Sequence, residues 1–495
     1  MLEAVRGSKD TTIQKLFNSW QADKNLLAKQ YSLPVAKRTG VLDSIEAIAE
    51  NREKELIRRS SDFRKQQIAL KIGVPDVFQN LQEDEAAIEF VSFQLLTDKR
   101  TDSLIYAAYI LRKNDSIPVF VPLFEEKQLQ RLLDSSGKTT TTTAKIFYRG
   151  VSVNDKNTKQ GDALYKLVWQ PLEPYLKGIN KISYSPAGKL FGIAFHALPV
   201  GNDSLLMEKY QLQQYTSTRQ VALRNTENQN VKPTSITLFG DPNFSMDSIQ
   251  LTKQRTTLSD SYASRSVYTP SLRGATNNSW PSLPGSAAEI NTIKQLFFAN
   301  KISGKSFAQI AASEENLKAL SGNSPQILHI ATHGFFLPEP NKTKNDRAFN
   351  QGNVYTLADD PLLRTGLILS GGNYAWSGKK PIEGVEDGIV TAYEIAQLNL
   401  SNTELVVLSA CETALGDIKG SEGVFGLQRA FKMAGVKKMI VSLWKVPDKE
   451  TAELMTTFYS YWIKGKAIND SFSQAQADMR KKYSPFYWAA FVLVE

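Results

Sequence analysis

Two short apolar runs near the C-terminus restrict what this 495-residue chain can fold into more than any other feature. Leu405-Val406-Val407-Leu408 and Met439-Ile440-Val441-Ser442-Leu443-Trp444 are short and rich in β-branched residues, so both read as buried strands. Between them Val424, Leu427, Phe431 and Ala434 recur at helical spacing. Gly420 to Gly423 form a flexible turn ahead of that helix, with Ser421 available to cap it, and Gly435 stands where a C-cap belongs. Strand, helix, strand in this order is a β-α-β unit, the building block of an α/β sheet covered by helices.

The sole cysteine, Cys411, falls at the carboxyl edge of the first of these strands, just past the small residues Ser409 and Ala410. In open α/β sheets chemistry collects at the carboxyl ends of strands. A second apolar stretch, residues 326–334 (QILHIATHG), reads as another buried strand and ends in His333-Gly334. His333 precedes Cys411 by 411 − 333 = 78 residues. A thiol at one parallel strand's end and an imidazole at another's can sit side by side, and the imidazole then helps form the nucleophilic thiolate. Gly334 has no Cβ, so its N–H can approach a substrate and help to bind an oxyanion. His329 and His333 are an even number apart, which on one strand puts them on the same face. No other histidine or cysteine lies near them in sequence, so no metal is expected and His329 is assigned to sheet packing. Gly420, Gly423 and Gly426 lack the G-x-G-x-x-G spacing and the P-loop lysine, so they imply no nucleotide loop and no cofactor.

Several ordered stretches together resemble the CHAT family of bacterial caspase-like and separase-like cysteine peptidases. They are LHIATHG at 328–334, DPLLRTGLILSGGN at 360–373 and EDGIVTAYEIAQLNLSNTELVVLSACET at 386–413. GSEGVFGLQRAFKMAGVKKMIVSLWKVPD at 420–448 and FYWAAFVL at 486–493 complete them. The likeness is continuous from about Leu283 to the end and extends more weakly back to roughly Trp20. The resemblance implies a caspase-like, mostly parallel sheet flanked by helices, with His333 and Cys411 as a catalytic dyad. It also implies an oxyanion hole from the amides of Gly334 and Cys411, and Ser442-Leu443-Trp444 lining the cleft beside an extended substrate. Caspases carry a QACRG-like signature, where this chain has SACET. Metacaspases carry an aspartate two residues before the cysteine, where this chain has Ser409, so a strict Arg/Lys preference at P1 is not implied. Asp387, Glu412 and Asp417 remain as sources of negative charge for a substrate pocket.

Composition bounds the rest. The chain is 42% apolar and 22% charged, ordinary for a globular protein of two or three domains. No apolar run approaches a membrane span, and the N-terminus lacks the apolar core of a signal peptide. One cysteine excludes an internal disulfide and fits a cytoplasmic setting. The net charge of +9 comes without a basic-aromatic recognition pattern, so it reads as a solvated basic surface and direct nucleic-acid binding is not expected.

Taken in order, three regions are expected. Residues 1–75 form an N-terminal helical region. There Ile13, Leu16, Phe17 and Trp20 share a helix face, and a charge-dense helix runs from Val41 to about Ile72. No complete repeat of about 34 residues occurs, so the region reads as a remnant of a helical array that either docks an activating partner or packs on the core. Residues 76–234 form an α/β half that resembles a degenerate caspase-like half. Strands are expected at 87–93, 103–111, 117–123 and 181–185, a polar loop at 134–145, a helix at 164–176 and a hairpin over 185–200. His196 is read as structural. Residues 235–495 form the catalytic domain. It opens with a strand at 236–242, followed by a surface loop over 245–282 and a helix bearing Ile290, Ile293 and Phe297. A short helix follows at 314–320, and a polar loop at 338–360 is a candidate lid. Helices over 449–482 and a strand at 488–493 close it.

The resulting expectation is a cytoplasmic cysteine endopeptidase that acts on a protein substrate and is restrained until a partner engages the N-terminal region. By resemblance, its setting is bacterial defence or cell death, with a gasdermin-like substrate. The rival is an idle scaffold or sensor of the same fold that works by protein–protein interaction.

Overall fold

The computed structural model describes residues 11–31, 42–59, 72–96, 100–113, 115, 117–134, 140–148, 159–201, 204–224, 232–255, 279–337, 361–379, 382, 385–409 and 422–495. Contacts divide the chain into two units. One holds Lys71–Pro233, Asp417–Val424 and Lys438–Glu495, and the other Met1–Leu70, Thr234–Gly416 and Phe425–Lys437. Both are α/β: the first mixes antiparallel and parallel strand pairs, and the main sheet of the second is all parallel.

In the first unit β1 (Glu85–Leu96), β2 (Arg100–Arg112) and β3 (Val119–Glu125) form an antiparallel meander. β4 (Lys181–Ser185) lies parallel to β1. β5 (Pro199–Val200) and β6 (Ser204–Leu205) make a small hairpin apart from this sheet, and β7 (Gln211–Gln214) pairs parallel with β4. Several local differences from the sequence expectations have physical causes. The expected polar loop over 134–145 is helical from Thr140 to Tyr148, because Ala144, Phe147 and Tyr148 give that segment an apolar side to bury. The expected helix at 164–176 stops at Val168 and continues as a 3-10 turn over Gln170–Tyr175, where Pro171 and Pro174 cannot donate to an α ladder. The expected hairpin over 185–200 is two 3-10 turns, Gly188–Gly192 and Phe195–Ala197, ending in β5. His196 is buried there against Gln476, and burial lowers its pKa to about 4, which keeps it neutral.

The second unit carries the candidate site. Four strands form an all-parallel sheet in the order β9-β8-β10-β14: β8 (Ser235–Pro242), β9 (Ser303–Gln309), β10 (Ile327–Ile330) and β14 (Leu405–Leu408). Parallel strands need crossovers, and the helix Pro284–Ala299 joins β8 to β9 while burying Ile290, Ile293 and Phe297. Three antiparallel strands build a separate sheet: β11 (His333–Phe336), β12 (Thr365–Ile368) and β13 (Ile389–Thr391). The helix Glu422–Met433 ends before Gly435, whose φ of +100° favours glycine. Within the expected loop over 245–282 the structure adds a helix, Ser248–Arg255; residues 256–278 lie outside the described residues, as does the expected lid at 338–360.

In the N-terminal region the described residues form helices Thr11–Tyr31 and Leu42–Arg59, and 60–71 lie outside the described residues. Ile13, Phe17, Trp20 and Leu56 close a small core between them, and Arg52 pairs with Asp23. The Tyr393 hydroxyl donates to the Lys24 carbonyl at 2.9 Å, tying this helix pair to the unit that holds the two sheets.

The chain finishes in the first unit with β15 (Lys438–Ser442), helices Asp448–Ile463 and Ile468–Arg480, and β16 (Phe491–Val494), antiparallel to β15 and parallel to β7. β15 is shorter than the expected 439–444. The expected last strand at 488–493 starts later, because Pro485 opens a helical turn that takes in Trp488.

Gly388 leads into β13 at φ +76°, and a Cβ there would stand 2.6 Å from both the Gly372 nitrogen and the Ser370 carbonyl oxygen. Gly388→Ala is therefore expected to destabilise the unit by roughly 3 kcal/mol, from left-handed strain plus backbone displacement. Thermal unfolding checks this, and an unchanged Tm would refute it.

Candidate active site

The site begins where β10 ends. Residues 326–334 do not form one strand, which corrects the same-face argument for the two histidines. β10 stops at Ile330, the Ala331 N–H still donates to the Phe239 carbonyl at 2.8 Å, and Thr332 donates through its hydroxyl to the Ile368 carbonyl. The chain thereby leaves the parallel sheet and enters the second one, where His333 starts β11 opposite Ile368. His329 stays in β10, so the two histidines belong to different sheets.

His333 is 4% exposed. Its ring lies 5.0 Å from the Phe244 ring and 5.2 Å from that of Trp280. Its Nε2 is 2.8 Å from the Pro281 carbonyl oxygen. A carbonyl only accepts, so Nε2 carries a proton, which makes Nδ1 the acceptor nitrogen whenever the ring is neutral. Asn373 fixes that carbonyl's neighbourhood. Its Oδ1 accepts from the Trp280 N–H at 2.7 Å and its Nδ2 donates to the Trp280 carbonyl at 2.9 Å. Trp376 meets Trp280 edge-on at 5.2 Å and closes the aromatic wall. Phe244, Trp280, Pro281 and Asn373 were not legible as site residues. Three of them sit in or beside the stretch read as a surface loop, without periodicity to mark them.

The cysteine side approaches from β14. β10 and β14 run parallel in register from Ile327↔Leu405 to Ile330↔Leu408. The Ser409 N–H donates to the Ile330 carbonyl at 2.9 Å, extending the ladder one step beyond the strand. Ser409 is buried, and its hydroxyl donates to Glu289 Oε2 at 2.9 Å. The other oxygen of Glu289 lies 3.0 Å from His329 Nε2. Cys411, Glu412 and Asp417 lie outside the described residues. Gly334 is buried in β11 opposite Leu367. Ser442, Leu443 and Trp444 fall in the other unit with buried side chains. There the Ser442 hydroxyl donates to the Trp444 carbonyl at 2.7 Å, the Leu443 N–H to the Ala490 carbonyl at 2.7 Å, and Trp444 Nε1 to the Phe486 carbonyl at 2.9 Å.

A family model, the CHAT domain, matches residues 158–495, about two thirds of the chain. The chain belongs to the CHAT domain family. Tetratricopeptide repeat protein 28 of Mus musculus is 26% identical over 231 residues, covering 43% of this chain and 9% of that protein. The Homo sapiens protein of the same name is 26% identical over 225 residues, 43% and 8%. This chain thus spans less than a tenth of the length of these relatives. Among solved structures, the separase–securin complex of Saccharomyces cerevisiae is similar at 11% identity, with 94% of this chain and 34% of that chain covered and a TM-score of 0.42. The Arg-specific cysteine proteinase gingipain R, RgpB of Porphyromonas gingivalis, is similar at 8% identity, with 74% of each chain covered and a TM-score of 0.34.

The CHAT domain also buries a charge cluster behind β13. The Lys318 ammonium lies 2.6 Å from Glu314 and 3.1 Å from both Glu386 and Glu394. Glu314 accepts the Gly388 N–H at 2.9 Å, Asp387 accepts the Ile389 N–H at 2.8 Å, and Glu394 caps its own helix through the Thr391 N–H and hydroxyl. Burial opposes a charge on Lys318, but Glu314, Glu394 and Glu386 outweigh it and hold its pKa above the usual lysine range. Burial, reinforced by Glu394, pushes the Asp387 carboxyl up to about 7. A carboxyl raised in the folded state contributes stability that is complete below its unfolded pKa of about 3.9 and is lost as pH rises through about 7. Asp387→Asn is thus expected to gain stability relative to wild type between pH 5 and pH 8. Thermal denaturation at the two pH values tests this, and an equal Tm offset at both would show that the carboxylate is ionised throughout.

Proposed function

We propose that this CHAT domain is a cysteine endopeptidase acting on a protein substrate through His333 and Cys411. The observation that carries the reading is the register of β10 and β14. Ile330 pairs with Leu408, His333 follows Ile330 by three residues, and Cys411 follows Leu408 by three. An imidazole of defined tautomer and the sole thiol of the chain thus leave adjacent parallel strands at equal distances along the backbone.

Nδ1 of His333 takes the thiol proton while Nε2–H stays on the Pro281 carbonyl, which holds the ring's orientation as it becomes imidazolium. The Cys411 thiolate attacks the scissile carbonyl. The amides of Gly334 and Cys411 receive the oxyanion. Collapse of the tetrahedral adduct breaks the C–N bond, His333 returns its proton to the leaving amine, and water hydrolyses the thioester. Glu412 or Asp417 supplies negative charge toward the substrate's side chains. The N-terminal helix pair docks an activating protein, and the setting is bacterial defence.

The test compares wild type with Cys411→Ala and His333→Asn in a lysate of cells that also express the neighbouring genes. Protein N-termini are mapped by mass spectrometry. New termini sharing a residue pattern, present only with wild type, are expected and would read out specificity directly. Identical profiles, together with failure of a peptidyl thiol-reactive probe to label Cys411, would replace the peptidase with the scaffold reading. The tetratricopeptide-protein relatives keep that second reading in view, because repeat arrays of that kind are built to bind other proteins.

A further inference from the structure

We infer that Glu289 is a positioning residue for the His333–Cys411 pair, its buried carboxylate joining the strand that leads to the histidine to the strand that leads to the cysteine. The inference rests on the peptidase reading above and adds to it a residue outside the proposed dyad.

Glu289 is out of place by ordinary packing rules. It lies on the inward side of the helix Pro284–Ala299, next to Ile290 and one turn before Ile293, and is 3% exposed. A carboxylate is expensive there unless every oxygen has a partner. Both have one: Oε1 is 3.0 Å from His329 Nε2, and Oε2 accepts from the Ser409 hydroxyl at 2.9 Å. His329 is itself fully buried, so all three groups exchange water for one another. If the site needed only to be filled, a leucine or methionine would fill it at no desolvation cost. What an apolar side chain cannot do is hold two strands at a set spacing through directional bonds.

The positions of the partners give that spacing its use. His329 lies four residues before His333, and Ser409 lies two residues before Cys411. The same helix begins three residues after Pro281, whose carbonyl fixes the His333 tautomer. One side chain therefore links the strand that leads to His333, the helix that follows Pro281 and the strand that leads, two residues beyond Ser409, to Cys411 in sequence. A displacement of about 1 Å between reacting groups costs on the order of a hundredfold in rate, so a tie of this kind acts on chemistry well before it acts on folding.

The readout is the pH dependence of iodoacetamide alkylation of the full chain, which reports one thiol because Cys411 is the only cysteine. Wild type is expected to alkylate with a thiolate titration below the ordinary thiol value of about 8.5, and His333→Asn to restore that value. Glu289→Gln keeps the volume but turns one accepting oxygen into an NH2 that only donates. It is expected to move the titration toward about 8.5 and to slow alkylation at pH 7 about tenfold, with Tm little changed. Ser409→Ala removes one of the two bonds and should give a smaller shift in the same direction; it carries the comparison if Glu289→Gln does not fold. Wild-type titration in both variants would overturn the role of Glu289 and leave the dyad standing. A wild-type thiol that titrates near 8.5 and ignores His333→Asn would overturn the dyad, and the inference with it.

Discussion

The parallel ladder between β10 and β14 is the constraint on which the candidate site depends. Parallel pairing fixes two strands in one direction, so their carboxyl ends open on the same edge of the sheet. It also fixes register, and here the ladder runs one step past β14, from the Ser409 N–H to the Ile330 carbonyl. Beyond that point the histidine segment leaves the sheet. Thr332 donates to the Ile368 carbonyl, and His333 begins a second, antiparallel sheet. An imidazole on a strand of its own can be braced from several sides, as the Phe244 and Trp280 rings and the Pro281 carbonyl brace this one.

Buried charge does the holding around this edge, and apolar packing does the folding. The four-residue strands β10 and β14 are wholly buried, and burying each Leu, Ile or Val side chain contributes about 1.5–3 kcal/mol. That is ample to form the sheet, but it is not directional. The Glu289 carboxylate and the Lys318 cluster add bonds with fixed geometry instead. Lys318 draws Glu314, Glu386 and Glu394 together, and Glu314 and Asp387 in turn accept the N–H groups at the entry to β13. Such groups are poor sources of net stability, because desolvation consumes most of the attraction. Their value lies in specifying one arrangement of the backbone, which is what a site made from several strand ends requires.

Much of this was legible from residue pattern. Leu405–Leu408, Ile327–Ile330 and Ser235–Pro242 show as short β-branched runs, and Ile290, Ile293 and Phe297 mark the crossover helix by their spacing. The pattern failed where long-range partners decide the outcome. Residues 326–334 look like one strand because their apolar content is continuous, and only the hydrogen bond of Thr332 to a residue 36 positions away breaks them in two. The threonine run at 140–143 looks like a loop until Phe147 and Tyr148 find a core. Pro281 and Asn373 carry no local signal as site residues, since each acts through a partner distant in sequence. Glu289 is the instructive case. A charged residue beside Ile290 on an otherwise apolar helix face is a local conflict, and such conflicts tend to mark functional sites.

The two histidines of this region meet different partner chemistry. His329 meets a carboxylate that is itself held by Ser409, a closed arrangement in which every group is committed to the tie. His333 meets a neutral carbonyl at Nε2, which fixes its tautomer and ring plane without supplying a charge. The aromatic rings on either side restrict its rotation but form no bond that a change in protonation would break. Its orientation is thus set by one hydrogen bond and two ring contacts, an arrangement that suits the general-base role proposed for it. A scaffold would need only the first of these arrangements, and the second supplies the physical reason to look for turnover at Cys411.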